Sequence, residues 1–331
     1  MSLLKPISLV VAFYLTLGSL APAQALDLLK GKNNTQKQVE KSEKQVEMLL
    51  SQGSPEALRQ ALNLIEQGAA NQCDSAKLHL YQGRIYERSG DDDKAIMSYI
   101  ECLILLNATS LTPQPDTLQA REALGGLYMK RGSFDEAGGQ LRKVLELAPG
   151  DIRARGNLGI CMIQLGFYKQ AVDEFKKVLS SDAKNFTALY NLGLALSAQN
   201  EPGLAASYFQ QAIALGESTH EQLLPMALIG LANCYREQNQ YASALRLVQR
   251  AKNLAPRSHY AYLAEAQIFE KTKQPGKAIE AVKKAIELNP QDQNCKLALG
   301  RILERGTAFN AGNAKSGGSG SIAAKAAKNP I

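Results

Sequence analysis

The 331-residue sequence contains no tryptophan, and aromatic residues make up only 6% of it. Its five cysteines are an odd number, and no two of them form a C-x-x-C pair. The histidines, His79, His220 and His259, lack the H-E-x-x-H or H-x-x-x-H spacing of a metal site. No catalytic constellation emerges elsewhere. The sequence therefore predicts a protein that is not an enzyme and that needs no cofactor or metal.

An excess of one charge is also absent from the body of the chain. Lysine and arginine total 38 against 31 acidic residues, a formal net charge of +7. Four of the lysines, Lys5, Lys315, Lys325 and Lys328, lie near the two ends, which leaves about +3 for residues 26–305. Basic and acidic residues are interspersed there instead of forming the basic stripe that nucleic-acid binding requires. We expect a solvated surface and no nucleic-acid partner.

Long apolar runs are lacking except near the N-terminus. Lys5 precedes an apolar run over residues 7–20, and Ala23-Gln24-Ala25 fits an A-x-A cleavage site. The run is shorter than the ~20 residues that span a bilayer. The pattern predicts a signal peptide over residues 1–25 and no integral membrane segment after its cleavage. The alternative is an uncleaved signal that stays as a membrane anchor.

A 34-residue period is the strongest pattern that is present. Small and helix-ending residues recur at this interval, in the series Gly125, Gly159, Gly193; Ala137, Ala171, Ala205; and Pro256, Pro290. A fixed period of this length is typical of a solenoid, in which each repeat buries its apolar face against its neighbours. The sequence therefore predicts one extended array of helical repeats.

Three cysteines follow the same period. Cys161 and Cys234 occupy one small-residue slot in the first helix of two different repeats. Cys102 stands in a slot that other repeats fill with alanine. We interpret these thiols as small buried apolar side chains and not as disulfide partners.

Changes in the pattern along the chain predict its organisation. A flexible linker is expected over residues 26–35, followed by the repeats over 36–305, with about seven helix pairs of which the first is divergent. The last helix, 292–305, has a polar outer face and is expected to cap the array. The Gly/Ser/Ala-rich tail, 306–331, has no core-forming pattern and is expected to be disordered.

The repeat resembles the tetratricopeptide repeat. The residues that carry the resemblance are the Gly-x-x-Tyr pairs Gly83/Tyr86 and Gly125/Tyr128, the central Ala95, Ala137, Ala171, Ala205, Ala244 and Ala278, the aromatic residues Tyr99, Phe175 and Phe209, and the terminal Pro149, Pro256 and Pro290. The sequence departs from the family in lacking its common tryptophan. The resemblance implies an all-α fold, a right-handed superhelical solenoid of stacked antiparallel helix pairs.

The resemblance also implies a binding surface. In this family the second, fifth, ninth and twelfth residues of each repeat line a concave face, where a partner protein or peptide would bind. The residues singled out on this face are Arg84, Met129, Arg153, Asn157, Ile160, Ile163, Tyr190, Asn191, Leu194, Asn233 and Arg236. Its middle is apolar, and Asn157 and Asn191 are expected to bond a peptide backbone there. The alternative is that the apolar residues pack on neighbouring helices or on the N-terminal segment.

Export and repeats together predict a periplasmic or secreted scaffold that binds another protein. Family analogy suggests envelope assembly, secretion or pilus biogenesis as its setting. The alternative function is a cell-wall or polysaccharide-associated accessory protein. Such a protein would contact sugars through Tyr190, Tyr260 and Tyr262.

Overall fold

The computed structural model describes residues 22–70, 75–109, 115–219 and 221–316. Within these residues there are fifteen α-helices and no strand, which confirms the all-α prediction. The chain divides after Leu165 into two compact units, called unit 1 and unit 2 below.

Unit 1 contains seven helices. They are α1 Pro22–Gln52, α2 Pro55–Ala70, α3 Ala76–Ser89, α4 Asp92–Thr109, α5 Pro115–Arg131, α6 Phe134–Leu147 and α7 Ile152–Gln164. Each helix packs against the next one along the chain. The first helix of each hairpin also packs against the first helix of the next, α1 on α3 and α3 on α5. These are the contacts of helical hairpins stacked side by side.

Unit 2 repeats the arrangement with eight helices. They are α8 Tyr168–Ser181, α9 Phe186–Ala198, α10 Pro202–Thr219, α11 Leu224–Glu237, α12 Tyr241–Leu254, α13 His259–Lys271, α14 Pro275–Leu288 and α15 Gln293–Ser316. The first helices α9, α11, α13 and α15 pack on one another in that order. The predicted solenoid of stacked helix pairs is therefore confirmed within each unit.

The turn between the two helices of a hairpin requires a left-handed residue. In unit 1 this residue is glycine, with φ of 78° at both Gly90 and Gly132. In unit 2 asparagine serves at two turns, with φ of 61° at Asn200 and Asn239, and Lys273 takes the same conformation at 57°. Glycine adopts this region without strain and asparagine tolerates it better than most residues, so the sequence specifies these turns locally.

An aromatic wedge joins the two helices of a hairpin in unit 1. Tyr99 of α4 is only 1% exposed, and its ring lies so close to Gly83 of α3 that a Cβ atom there would stand 2.6 Å from it. The Tyr99 hydroxyl donates to Glu87 Oε2 at 2.9 Å. Glycine at this slot therefore lets the helices approach, and the hydrogen bond satisfies the one polar group of the wedge.

A second wedge connects successive hairpins in unit 2. The ring of Phe209, on α10, is 1% exposed and lies between Gly193 of α9 and Gly230 of α11. A Cβ atom would come within 2.8 Å of the ring at Gly193 and within 2.6 Å at Gly230. One side chain thus fills the space within its own hairpin and the space against the next.

The prediction that three cysteines are buried apolar side chains without a disulfide is confirmed. Cys102, Cys161 and Cys234 are at most 1% exposed and carry free thiols, as does the equally buried Cys295. Burial raises the pKa of Cys102 to about 12 and the pKa of Cys161 and Cys234 to about 11. Thiols in such surroundings remain protonated and unreactive. Cys73 lies outside the described residues.

This burial makes a labelling experiment informative. In a Cys73→Ser background, the native protein is expected to leave its four other cysteines unlabelled by a thiol reagent, because the reagent needs an accessible thiolate. Denaturation should then expose all four to labelling. Rapid labelling of native protein at even one of them would contradict the packing described for that helix.

The two ends of the array differ from the predicted boundaries. Helix α1 begins at Pro22, so residues 26–35 are helical and not a flexible linker. Helix α15 continues to Ser316, beyond the predicted end of the cap at 305. Residues 26–35 contain three leucines and two lysines, residues 306–316 contain three alanines and one lysine, and neither segment contains a proline, so the flanking helix can extend through both.

Two predictions about the chain ends fall wholly or partly on residues that are not described. Residues 1–21 of the predicted signal peptide lie outside the described residues, and so do residues 317–331 of the predicted tail. Of the helices that are described, none is both long enough and apolar enough to span a bilayer.

Candidate functional site

The predicted binding residues all lie on first helices of hairpins. We call the surface that these helices expose within one unit the first-helix face of that unit. In unit 1 it is built by α3, α5 and α7, and in unit 2 by α9, α11, α13 and α15. The predicted set is thereby divided into two groups, which are described separately.

Arg84 holds two first helices of unit 1 together. Its Nη2 donates to Gln119 Oε1 on α5 at 2.5 Å, and its guanidinium lies 5.8 Å from the centre of the Tyr81 ring. The side chain is half-buried. Arg84 therefore lies on the predicted face, but its hydrogen-bonding capacity is already partly used within the unit.

The remaining predicted residues of unit 1 lie on α5 and α7. Met129 is half-buried and packs against the apolar cluster of α6 and α7. This residue therefore fits the alternative expectation, in which apolar residues of the face pack on neighbouring helices. Arg153 is exposed. The half-buried residues of this group on α7 are Asn157, Ile160 and Ile163.

Glu122 of α5, which is not one of the predicted binding residues, interacts electrostatically with Arg153. Burial, together with the nearby carboxyl group of Asp151, raises the pKa of Glu122 above its ordinary value, and the Arg153 guanidinium opposes the shift. The first-helix face of unit 1 is therefore mixed in charge where α5 meets α7.

In unit 2 the aromatic ring of Tyr190 belongs to a packed cluster. It stacks on Phe186 with ring centres 6.4 Å apart, and it tilts against Phe209 at 6.0 Å. Burial raises the pKa of Tyr190, and the Tyr260 hydroxyl adds to the shift. Tyr190 is half-buried, and its hydroxyl stays protonated and can donate a hydrogen bond. Leu194, one turn further along α9, is half-buried.

Asn191 differs from the expectation. It is 8% exposed, and its Nδ2 donates to the backbone oxygen of Thr187 at 2.8 Å. This bond to the preceding turn of its own helix turns the amide away from a partner. The predicted pairing of Asn157 and Asn191 as two equivalent backbone-binding amides is therefore not supported on the Asn191 side.

Asn233 and Arg236 form part of a polar row. Arg236 Nη1 donates to Asn233 Oδ1 at 2.9 Å and also to Gln267 Oε1 on α13. On the far side of α13, Arg301 of α15 binds Glu270 through two hydrogen bonds, at 3.1 and 2.9 Å. The row crosses α11, α13 and α15, and it fixes the spacing of these helices at one end of the face.

An apolar row lies beside it, nearer the N-termini of the same helices. Met226 and Leu263 are half-buried, whereas Tyr260 is 46% exposed and Leu297 is 70% exposed. Sequence reasoning did not select Leu297 or Gln267 as binding residues. Counting the repeat slots through to the last helices would have found both, because Leu297 lies 34 residues after Leu263 and Gln267 lies 34 residues after Asn233.

The two described histidines are each paired with a carboxylate. His79 Nδ1 lies 3.1 Å from Glu101 Oε2, and His259 Nε2 lies 3.1 Å from Asp292 Oδ2. Among residues 22–70, 75–109, 115–219 and 221–316, no three His, Cys, Asp or Glu side chains are grouped so that they could hold a metal ion. His220 lies outside these ranges.

The fold and the exposed face define a helical-hairpin repeat protein. Three models of the tetratricopeptide repeat family match the chain, at residues 128–193, 186–257 and 229–293. Together they run without a gap from 128 to 293, and the chain is a tetratricopeptide repeat protein. Repeats of this class form protein–protein interaction scaffolds.

Solved structures share the fold at low sequence identity. A tetratricopeptide repeat protein from Parabacteroides merdae is 17% identical with a TM-score of 0.60, covering 81% of this chain and 99% of that one. The Cut9–Hcn1 hetero-tetramer of the APC/C gives 18% identity and a TM-score of 0.57, covering 73% of this chain but 45% of that one. A thermophilic tetratricopeptide repeat protein from Thermus thermophilus is 17% identical with a TM-score of 0.50, and the match covers 56% of this chain and 98% of that one.

Proposed function

We propose that the protein is an exported scaffold that holds an extended or helical segment of another protein on its first-helix face. The observation that carries this proposal is the pair of rows in unit 2. An apolar row with Tyr260 and Leu297 exposed runs beside a polar row fixed by Arg236 and Gln267. Exposed apolar side chains next to ordered polar groups suit the two sides of an amphipathic segment.

The dimensions of the rows set the size of the segment. First helices that pack on each other lie about 8–10 Å apart, so a row across the three helices α11, α13 and α15 spans about 16–20 Å between the outer helix axes. An extended strand of about six residues, or a helix of about twelve, matches this length. Export is supported by the signal-like pattern of residues 1–25, and it makes a periplasmic or secreted protein the proposed partner.

Substitution on the face tests the proposal. A photo-crosslinking residue placed at Tyr260 should capture a specific partner in the native host, whereas the same residue at Gln249, on the second helix α12, should not. Tyr260→Glu with Leu297→Lys should then reduce capture by another probe on the face about tenfold, because the new charges would be buried against an apolar segment.

The matched control is Leu204→Lys. Leu204 is also an exposed leucine, at 55%, but it lies on the second helix α10. Circular dichroism should show that all variants keep their helical content. Undiminished capture by the Tyr260→Glu/Leu297→Lys variant, with its fold intact, would remove the first-helix face of unit 2 as the docking site.

The polysaccharide alternative finds less support. Of the three tyrosines proposed to contact sugar, Tyr190 is packed against two rings, and Tyr262 is half-buried beside Lys252, whose Nζ lies 5.0 Å from its ring centre. Tyr260 alone exposes much of its ring. Sugar stacking generally uses an open aromatic platform.

A further inference from the structure

The polar row of unit 2 contains a guanidinium group that determines how two amide side chains point. Arg236 Nη1 donates to Asn233 Oδ1 at 2.9 Å and to Gln267 Oε1 on the neighbouring first helix α13. An arginine side chain has no hydrogen-bond acceptor, so each amide must turn its oxygen towards Arg236 and its NH2 group away from it. The orientation of both amides therefore follows from the chemistry of the arginine.

Both NH2 groups are left without a partner in the protein. Among the described residues, neither Asn233 Nδ2 nor Gln267 Nε2 takes part in a hydrogen bond. The two side chains are half-buried, and neither nitrogen atom is enclosed. The row therefore presents two oriented donors, one from α11 and one from α13, to whatever lies on the face.

Arg236 is itself held from its other edge. Its Nε and Nη2 atoms donate to Glu237 Oε1 at 3.2 and 2.8 Å, and its side chain is only 14% exposed. The hydrogen bond from Arg236 lowers the pKa of Glu237, so this carboxylate remains charged and keeps its grip. A guanidinium group bound on both edges has little freedom to turn. Arg236 is thus a positioning residue for the two amides.

The charges beside the two donors are paired within the protein. Arg236 pairs with Glu237, and further along the row Arg301 binds Glu270 through two hydrogen bonds. A charged group of a partner would have to compete with one of these pairs, whereas a neutral acceptor would not. Main-chain carbonyl groups are the neutral acceptors that every protein segment carries.

The conformation of the segment decides whether its carbonyl groups are free. In a helix they are bonded within the helix, whereas in an isolated extended segment they are not. Carbonyl groups two residues apart lie on the same edge of an extended segment, about 7 Å from each other. This spacing is close to the ~8–10 Å between neighbouring first helices. One edge of the segment can therefore meet both donors while its side chains contact Tyr260 and Leu297.

We infer that Arg236 sets the amides of Asn233 and Gln267 as a pair of donors for main-chain carbonyl groups, and that the bound segment is extended and uncharged along this edge. The inference rests on the proposed function. It decides between the two forms of segment that the length of the rows allows.

The probe for a test is a peptide of about twelve residues, selected from a random phage-displayed library on the full chain and retained only if Tyr260→Glu/Leu297→Lys abolishes its binding. Asn233→Asp and Gln267→Glu keep the shape of each side chain and still accept from Arg236, but they replace the NH2 donor with an oxygen. Each should weaken binding of the peptide about tenfold or more in titration calorimetry. A role in helix spacing alone would be unaffected by either change.

Gln211→Glu is the matched control, because Gln211 is an exposed glutamine on the second helix α10. This variant should bind the peptide as the wild type does. A peptide that requires Tyr260 and Leu297 but keeps its affinity for both acid variants would overturn the inference and leave the proposed function standing. A library that yields no peptide dependent on these two side chains would remove both.

Ester replacements along the peptide backbone test the carbonyl groups directly, because an ester carbonyl is the weaker acceptor. Two replacements, two residues apart, should each reduce affinity about 2–10-fold, and the others should have little effect. In the Asn233→Asp variant one of these two losses should disappear, since its donor is already absent. Losses at consecutive positions, as in a helix, or no loss at any position would contradict the extended arrangement.

Discussion

Replacing Phe209 with alanine should lower the free energy of unfolding by about 3–5 kcal/mol. The ring fills the space between Gly193 of its own hairpin and Gly230 of the next, and it is 1% exposed. The backbones on either side carry no side chain at these two positions, so neither glycine can occupy the cavity that the substitution leaves. A loss of this size is a large part of the ~5–15 kcal/mol that holds a typical domain folded.

Phe167→Ala is the matched control for this variant. Phe167 precedes α8 in the same unit and is 51% exposed, so its loss should change stability by no more than about 0.5 kcal/mol. Urea titrations followed by circular dichroism measure both. Because stacked repeats can unfold in parts, the midpoint and slope of each transition should be compared before a single free energy is fitted. Similar losses of unfolding free energy for Phe209→Ala and Phe167→Ala would contradict the packing of the Phe209 ring between α9 and α11.

The sequence predicts the hairpins well because their determinants are local and recur. A small residue in the first helix and an aromatic residue in the second repeat at a fixed distance, and the structure brings Gly83 and Tyr99 into contact. Because the same residue types recur in several repeats, the helix pairs can be predicted even where one repeat departs from the pattern. Local signals also mark the turns at Gly90 and Gly132.

Contacts that do not recur with the 34-residue repeat could not be predicted from its spacing. Gly230 touches Phe209, but the slot of Gly193 is filled in the next repeat by Ala232, and Gly230 stands in the slot that Asn191 occupies in its own repeat. The bond from Arg236 to Gln267 joins long side chains of different repeats, and their rotamers are not encoded by spacing. Asn191 shows the same limit, since its position is correct and its side chain is turned back to its own helix.

The sequence also does not predict that Met97, Ile100 and Ile104 of α4 are exposed. The segment from Ala95 to Leu106 is apolar around most of the helix, so periodicity cannot separate the side that packs from the side that is exposed. Cys102, Leu103 and Leu106 are buried, whereas Ile100 and Ile104 are not. Only the packing of α3 and α5 against this helix decides which apolar residues remain outside.

Gly230→Ala and Gly300→Ala should change stability in opposite directions. A Cβ atom at Gly230 would stand 2.6 Å from the Phe209 ring, and such overpacking costs about 1–3 kcal/mol. Gly300 is an exposed glycine inside α15, and a Cβ atom there would meet nothing within 4 Å, so alanine should gain up to about 1 kcal/mol through helix propensity. The free energies of unfolding of the two variants should differ by about 1–4 kcal/mol in urea titrations.

A double substitution separates this steric effect from a general intolerance of α11. Phe209→Leu removes the ring that the new methyl group would strike, so Gly230→Ala should cost less in that background than in the wild type. The coupling has this sign only if the ring and the glycine touch. Additive losses, or a stabilising Gly230→Ala in the wild type, would show that Phe209 does not lie against α11, and the stacking of the hairpins in unit 2 would then need another explanation.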